Sequence, residues 1–383
     1  MRKKKILPVS LVFFSVIILT SGCSTKSQEL MSREKILETM TTCNAYFIEK
    51  WPDVGKTIIT NKERASNIWT RSVYYEGLME LYRMDPRHEY YDYAVRWGEF
   101  HGWNLRDGET FTRNADNQCA GQTYIDLYQL DPQPERIEYI KASVDSMLRT
   151  DKIDDWNWID ALQMAMPVFA RLGMIYEDSS YIDRMHEMYL FTKESHGENG
   201  LYNLEEGLWW RDADYDPPYT EPNGEDCYWS RGNGWVLAAL VRVMNVLPED
   251  HPYREEYMRT YKEMCEAILK VQRKDGFWNA SLHDPGNFGG RETTGTSLFV
   301  YGIAWGINNN FLSADKYRPA VIKAWNAMAT KAVHDNGFLG YVQSTGKEPS
   351  TGQPVTYKRV PDFEDYGLGC FLLAGSEMYK MER

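Results

Sequence analysis

The sequence is poor in the residues that build metal centres and cross-links. Six cysteines are spread through 383 residues, and there are seven histidines. No cysteine lies in a C-x-x-C pair or beside a histidine at ligand spacing. That argues against a structural metal and leaves disulfides unreadable from spacing. Nucleotide signatures are missing too: there is no phosphate loop, no dinucleotide fingerprint and no G-x-S-x-G turn. Basic residues are outnumbered 43 to 55, for a formal net charge of −12. Nucleic acid needs a basic surface, so that partner is excluded. One small anionic substrate is not, because a single buried arginine can dominate the field of a pocket. No Pro/Ser linker or low-complexity tract divides the chain, and the period-two runs of a sheet protein are scarce.

What is abundant is aromatic surface. Rings make up 14% of the chain, with 13 Trp and 26 Tyr. Most of them fill a core, and such rings also stack on the apolar faces of sugars. The amino terminus opens Met1-Arg2-Lys3-Lys4-Lys5, followed by an apolar run from Ile6 to Leu19. This is the pattern of a bacterial signal peptide, too short to span a membrane comfortably. It ends Leu19-Thr20-Ser21-Gly22-Cys23, so residues 1–23 read as a lipoprotein signal with a lipid on Cys23. Thr20 stands where a lipobox usually has Leu, and a soluble periplasmic protein is the alternative. Residues 24–32 then form a tether, and residues 33–383 one catalytic domain, large enough to bury its own core. The expected location is the bacterial envelope, facing the periplasm or the cell surface.

The mature chain reads as helical almost throughout, with apolar residues at three and four spacing, as in Tyr74, Leu78, Leu81 and Tyr82. Six segments repeat one pattern, in which a small residue opens a strongly apolar helix. They begin near Gly77, Ala120, Asp160, Gly232, Thr294 and Tyr366. Each is apolar on most faces and should be buried. More amphipathic helices lie between them, such as Pro134 to Leu148 and Tyr253 to Gln272. Six buried helices alternating with six half-exposed ones describe an all-α (α/α)6 barrel of inner and outer helices. Irregular intervals argue against a solenoid. In such a barrel the starts of the inner helices gather at one end, the natural place for a pocket.

Asp160 is the sole acid between Trp156 and Gly173. Desolvation there raises its pKa, as a general acid near neutral pH requires. A helix cap is the plainer role. It suits Asp154 and Asp155 better, because they sit in a more polar setting. Asp116 opens the second inner helix. Alone it reads as a cap; paired with Asp160 on the next inner helix it makes a two-carboxylate site with diverging pKa values. Asn117 and Gln118 read as polar lining. Arg231, between aromatics and small residues, suits a carboxylate ligand or, equally, a structural acid. Trp235 is placed to stack on a sugar. Gly276-Phe277-Trp278 through Arg291-Glu292-Thr293 reads as pocket rim.

These segments resemble the unsaturated rhamnogalacturonyl hydrolases of glycoside hydrolase family 105 and, more distantly, the unsaturated glucuronyl hydrolases of family 88. The matching residues are Asp116-Asn117-Gln118 to Gln122-Thr123-Tyr124, Trp158-Ile159-Asp160 with Met164, Ser230-Arg231-Gly232-Asn233-Gly234-Trp235, Gly276-Phe277-Trp278 to Glu292-Thr293-Thr294, and Asp365-Tyr366-Gly367-Leu368-Gly369. They run in the family's order over nearly all of the chain after Trp69. The resemblance implies no metal or cofactor and a lyase-generated oligosaccharide ending in a 4,5-unsaturated uronic acid. It implies Asp160 as the acid/base that hydrates the C4=C5 bond, and Asp116 as its catalytic partner. Arg231, Trp235, Trp158, Met164, Gln118 and Trp69 would bind substrate. One departure stands out: many members carry a His before the Arg segment, and Asn203 falls where it is expected. The leaving sugar therefore stays open, including arabinogalactan-type and ulvan-type fragments. An inverting glycosidase, a uronate lyase and a non-catalytic glycan-binding lipoprotein are the competing readings.

Overall fold

A computed structural model describes residues 29–59, 63–108, 110–197, 199–358 and 365–381. The signal-like segment and Cys23 lie outside the described residues. Among the described residues, thirteen α-helices and two small hairpins follow in chain order. The helices are α1 (Arg33–Lys50), α2 (Trp69–Met84), α3 (His88–Phe100), α4 (Ala115–Gln118), α5 (Ala120–Leu130), α6 (Glu138–Leu148) and α7 (Asp160–Tyr176). Then come α8 (Ser179–Glu194), α9 (Ser230–Met244), α10 (Arg254–Lys270), α11 (Thr293–Asn308), α12 (Ala314–Lys331) and α13 (Asp365–Met381). The hairpins are β1 (Ile58–Ile59) with β2 (Glu63–Arg64), and β3 (Tyr202–Asn203) with β4 (Leu208–Trp209), both antiparallel.

The expected alternation is present. The inner ring runs α2, α4 with α5, α7, α9, α11, α13, each packed on its neighbours, and α13 closes it against α2. The outer helices α1, α3, α6, α8, α10 and α12 alternate with them. Composition explains the sorting. Every residue of α9 is buried, as is α11 from Thr293 to Gly306. The outer helix α10 buries one stripe, including Tyr257, Tyr261, Met264 and Ile268, and leaves a charged face to solvent. The five described cysteines are all buried and unbridged, packing as small hydrophobes.

Closure depends on two glycines. A Cβ on Gly77 of α2 would lie 2.5 Å from the Gly369 carbonyl oxygen, and one on Gly369 of α13 only 2.2 Å from that of Val73. The two backbones touch where no side chain fits. Beside this crossing Arg71 donates through Nε to Asp365 Oδ2 at 3.1 Å, both side chains fully buried. Removing one partner of such a pair leaves an uncompensated charge.

Below the starts of the inner helices the barrel axis is polar. Gln163 donates to Glu76 Oε2 at 2.8 Å, Gln122 to the Gln163 carbonyl at 2.7 Å, and Arg242 Nε to Gln122 Oε1 at 2.8 Å. Burial pushes Glu76 up to about 7, against the pull of Arg242.

The closure account predicts that Gly369→Ala costs about 1–3 kcal/mol or more, since backbone rather than a flexible side chain blocks the new methyl. Denaturant unfolding should show a lowered midpoint with unchanged slope. An unchanged midpoint would place the closing contact elsewhere.

Candidate active site

A cavity of about 500 Å³ opens at the end where the inner helices start. It is lined by Arg64, Trp69, Asp116, Trp158, Asp160, Met164, Arg211, Ser344, Thr345, Gly346 and Thr351. That volume suits a sugar-sized ligand. Trp69 and Asp160 are the first residues of α2 and α7, and Asp116 lies in the first turn of α4. Three helix N-termini therefore face the cavity, and their partial positive charge favours anions there.

Neither carboxylate serves as a helix cap. Asn114 caps α4 through its side chain, accepting from Asn117 N at 3.4 Å. Ile159 occupies the cap position of α7 without a side-chain bond. Asp160 is 8% exposed, and its Oδ2 accepts from Arg211 Nε at 3.1 Å. Burial pushes its pKa above the ordinary range, against the pull of Arg211 and then Arg231. Burial also pushes Asp116 up, to about 6, reinforced by repulsion from Asp160 and opposed by Arg211, Arg106 and Arg64. Two carboxyls that repel in one cavity titrate as a pair, and one of them keeps its proton to higher pH than an isolated carboxyl would.

The structure brings Asp160, Asp116, Trp158, Met164 and Trp69 together and leaves three expected lining residues out. Arg231 is fully buried. Its terminal nitrogens donate to the carbonyls of Gln343 and Ser344, both at 2.8 Å, and its guanidinium lies over the rings of Trp229 and Tyr366. It forms no ion pair with a described acid, although its charge reaches Asp160, and it fastens the loop that forms one cavity wall. Trp235, also fully buried, stands edge-on to Trp69 at 6.2 Å and backs that ring instead of meeting a sugar. Gln118 donates to Ser143 Oγ at 2.9 Å and ties α4 to α6. Asp155 likewise pairs with Arg113 and Lys152 and is no cap. The stretch from Gly276 to Glu292 does not line this cavity; Asn279, Leu282, His283 and Pro285 border a separate groove of about 780 Å³. Glu292 caps α11, accepting from the backbone of Thr294 and Gly295.

Arg211, Arg64 and the loop from Ser344 to Thr351 were not singled out in the sequence. Asn203, expected at the His position, points its bonds elsewhere: its amide nitrogen donates to Tyr228 at 2.8 Å and its oxygen closes the β3–β4 turn. Eight residues further on, Arg211 enters the cavity. Its carbonyl accepts from Ile159 N at 3.0 Å, which fixes it beside the start of α7. Its other ion-pair partner is Asp212. A signal for it existed: Arg211 directly follows two tryptophans, the same charge-among-rings context that marked Asp160.

The model of Glycosyl Hydrolase Family 88 matches residues 39–382. The unsaturated 3S-rhamnoglycuronyl hydrolase of Formosa agariphila is 32% identical over 338 residues, 82% of this chain and 85% of that protein. A solved family 88 glycosyl hydrolase from Bacteroides vulgatus is 33% identical, with a TM-score of 0.83 over 92% of this chain and 100% of that one. A protein described as a polysaccharide lyase is 31% identical, with a TM-score of 0.82 over 91% of this chain and 97% of its own.

The electrostatics of the pair generate a stability prediction. An aspartate with a raised folded-state pKa costs the fold nothing below its unfolded pKa; the cost builds as pH rises from the unfolded to the folded value and is complete above it. Asp116→Asn should therefore stabilise the protein by about 1–3 kcal/mol at ~pH 8 and by nothing at ~pH 4. Denaturation midpoints at the two pH values test this. Equal effects at both would remove the raised pKa of Asp116 from the account.

Proposed function

This chain belongs to glycosyl hydrolase family 88, and from that premise we propose that it hydrolyses oligosaccharides ending in an unsaturated uronic acid by hydrating the sugar's C4=C5 bond. The observation that carries the chemistry is the Asp116–Asp160 pair, both raised and both in one aromatic-walled cavity. A vinyl ether needs an acid that still holds its proton near neutral pH, and this pair supplies one. Asp160 delivers that proton to C4, which leaves positive charge on C5 and the ring oxygen. Water adds at C5 and gives up a proton to the same carboxylate. The hemiketal then opens to a C5 ketone, and C1 releases the remaining oligosaccharide as an alcohol. Asp116, in the same cavity, is placed to hold the ring hydroxyls. Arg211 keeps Asp160 oriented through its Nε bond, and Trp69 and Trp158 form apolar walls. Similarity to a rhamnoglycuronyl hydrolase supports rhamnose as the sugar released.

Similarity to a protein described as a polysaccharide lyase raises elimination as a second reading. A lyase needs a Tyr or His base beside the acidic sugar, and the described lining contains neither. The basic and apolar start of the chain supports a lipid on Cys23, with the enzyme on the envelope and residues 33–383 as its catalytic domain.

The test follows the ultraviolet absorbance of the conjugated double bond. Protein lacking residues 1–23 is mixed with lyase-generated fragments of several acidic polysaccharides. Wild type should remove the absorbance, and Asp160→Asn should be slower by about 10²–10⁴-fold. Rising absorbance would establish a lyase instead. Full activity in Asp160→Asn would take the acid role away from that residue.

A further inference from the structure

We propose that Arg64 receives the carboxylate of the terminal unsaturated sugar and makes the enzyme selective for an acidic substrate. This rests on the hydrolase reading above and deepens it. Two cations line the cavity among the described residues, Arg64 and Arg211. Arg211 is already engaged by Asp160 and Asp212. Arg231, the cation first expected at a substrate carboxylate, commits both terminal nitrogens to backbone carbonyls; its Nε also lacks an acceptor, but the side chain is fully buried and does not line the cavity. The Arg64 side chain makes no ion pair or hydrogen bond to any described residue, and its Nε is shielded from solvent without an acceptor. A guanidinium in that state has an unmet demand for an oxygen acceptor.

The local structure holds Arg64 in place without occupying it. Its backbone pairs with Ile58 across the β1–β2 hairpin, and the Ile58 side chain is buried in the core. Thr57 Oγ1 donates to Glu63 Oε1 at 2.7 Å, so the neighbouring acid is taken up by a hydroxyl. The charge of Arg64 reaches Asp116 and draws its pKa down, which places the guanidinium close to the reacting end of the cavity. A carboxylate is the group whose two oxygens match the guanidinium fork. On the unsaturated sugar that group is attached to C5, the carbon at which water adds. It is present in the bound substrate and in the transition state alike. Arg64 should therefore act as a uniform binding contact, changing KM far more than kcat.

The experiment crosses the residue with the substrate group. Wild type, Arg64→Gln and Arg64→Lys are assayed on an unsaturated uronyl disaccharide and on its methyl ester. Arg64→Gln should raise KM for the free acid by about 10- to 100-fold, the loss of one charge-assisted pair, with kcat within about threefold. Esterification should penalise wild type similarly and Arg64→Gln hardly at all, and Arg64→Lys should fall between. If the two changes multiply, or if Arg64→Gln lowers kcat equally on both substrates, Arg64 does not read the carboxylate. Calorimetric binding of acid and ester to Asp160→Asn protein, with and without Arg64→Gln, gives the same comparison without turnover. An inactive wild type whose preference for the acid is lost in Arg64→Gln would refute the hydrolase reading and uphold the anion site. Equal binding of acid and ester in the Arg64-containing protein would refute the anion site itself.

Discussion

The contact of α13 with α2 is the constraint on which the rest of the molecule depends. The last helix can close the ring because Gly77 and Gly369 let two backbones touch. That closure buries the Arg71–Asp365 pair and sets Tyr366 beside Trp69, with ring centroids 5.4 Å apart. It also brings the segment before α13 over the starts of the inner helices. Arg231 and Gln343 then fix that segment: Arg231 holds the carbonyls of Gln343 and Ser344, and the Gln343 amide donates to the carbonyls of Glu348, Pro349 and Thr351. Without closure the cavity would lack the wall formed by Ser344, Thr345, Gly346 and Thr351.

Carboxylates along the barrel axis are tuned by what surrounds them. Burial raises Asp126 as it raises the others, but Arg171, Arg83 and Arg242 outweigh it and leave the group at about 2, a permanent anion. Glu76, with one more distant arginine at 3.7 Å, rises to about 7. Asp116 and Asp160 sit where helix N-termini converge and where Arg211 serves only one of them directly. One kind of group thus supplies structural charge at one end and a raised, proton-holding carboxyl at the other. The arginines decide which is which: three converge on Asp126, whereas burial outweighs the arginines near Asp116 and Asp160.

Much of the fold was legible in the sequence because burial leaves a compositional trace. A helix apolar on every face, such as α11, has nowhere to go except the inside of a barrel, while α10 announces its outer position through a charged face. The setting of Asp160 was legible for the same reason, since a lone acid among rings and aliphatics marks desolvation. What could not be read was the use of each polar group by a remote segment. Arg231 looks available in its own neighbourhood, yet the carbonyls that occupy it come from Gln343 and Ser344, more than a hundred residues away. Trp235 looks like a sugar platform until Trp69 covers it. Conversely, Arg64 stands in an unremarkable polar stretch, and its side chain's lack of a described partner emerges only when the hairpin is placed at the cavity. The shift from Asn203 to Arg211 has a similar origin, because the β3–β4 turn sets which side chain after it meets α7.

The central claim is that this cavity adds water across a double bond and does not displace a leaving group at C1 in the usual way of glycosidases. The most direct measurement runs a brief reaction in deuterium oxide and locates the label in the product by NMR. The account predicts one deuterium at C4, on a single face, in the earliest product formed by wild type. Product released at the same rate with no deuterium at C4 would contradict it and assign the cavity to direct hydrolysis of the glycosidic bond.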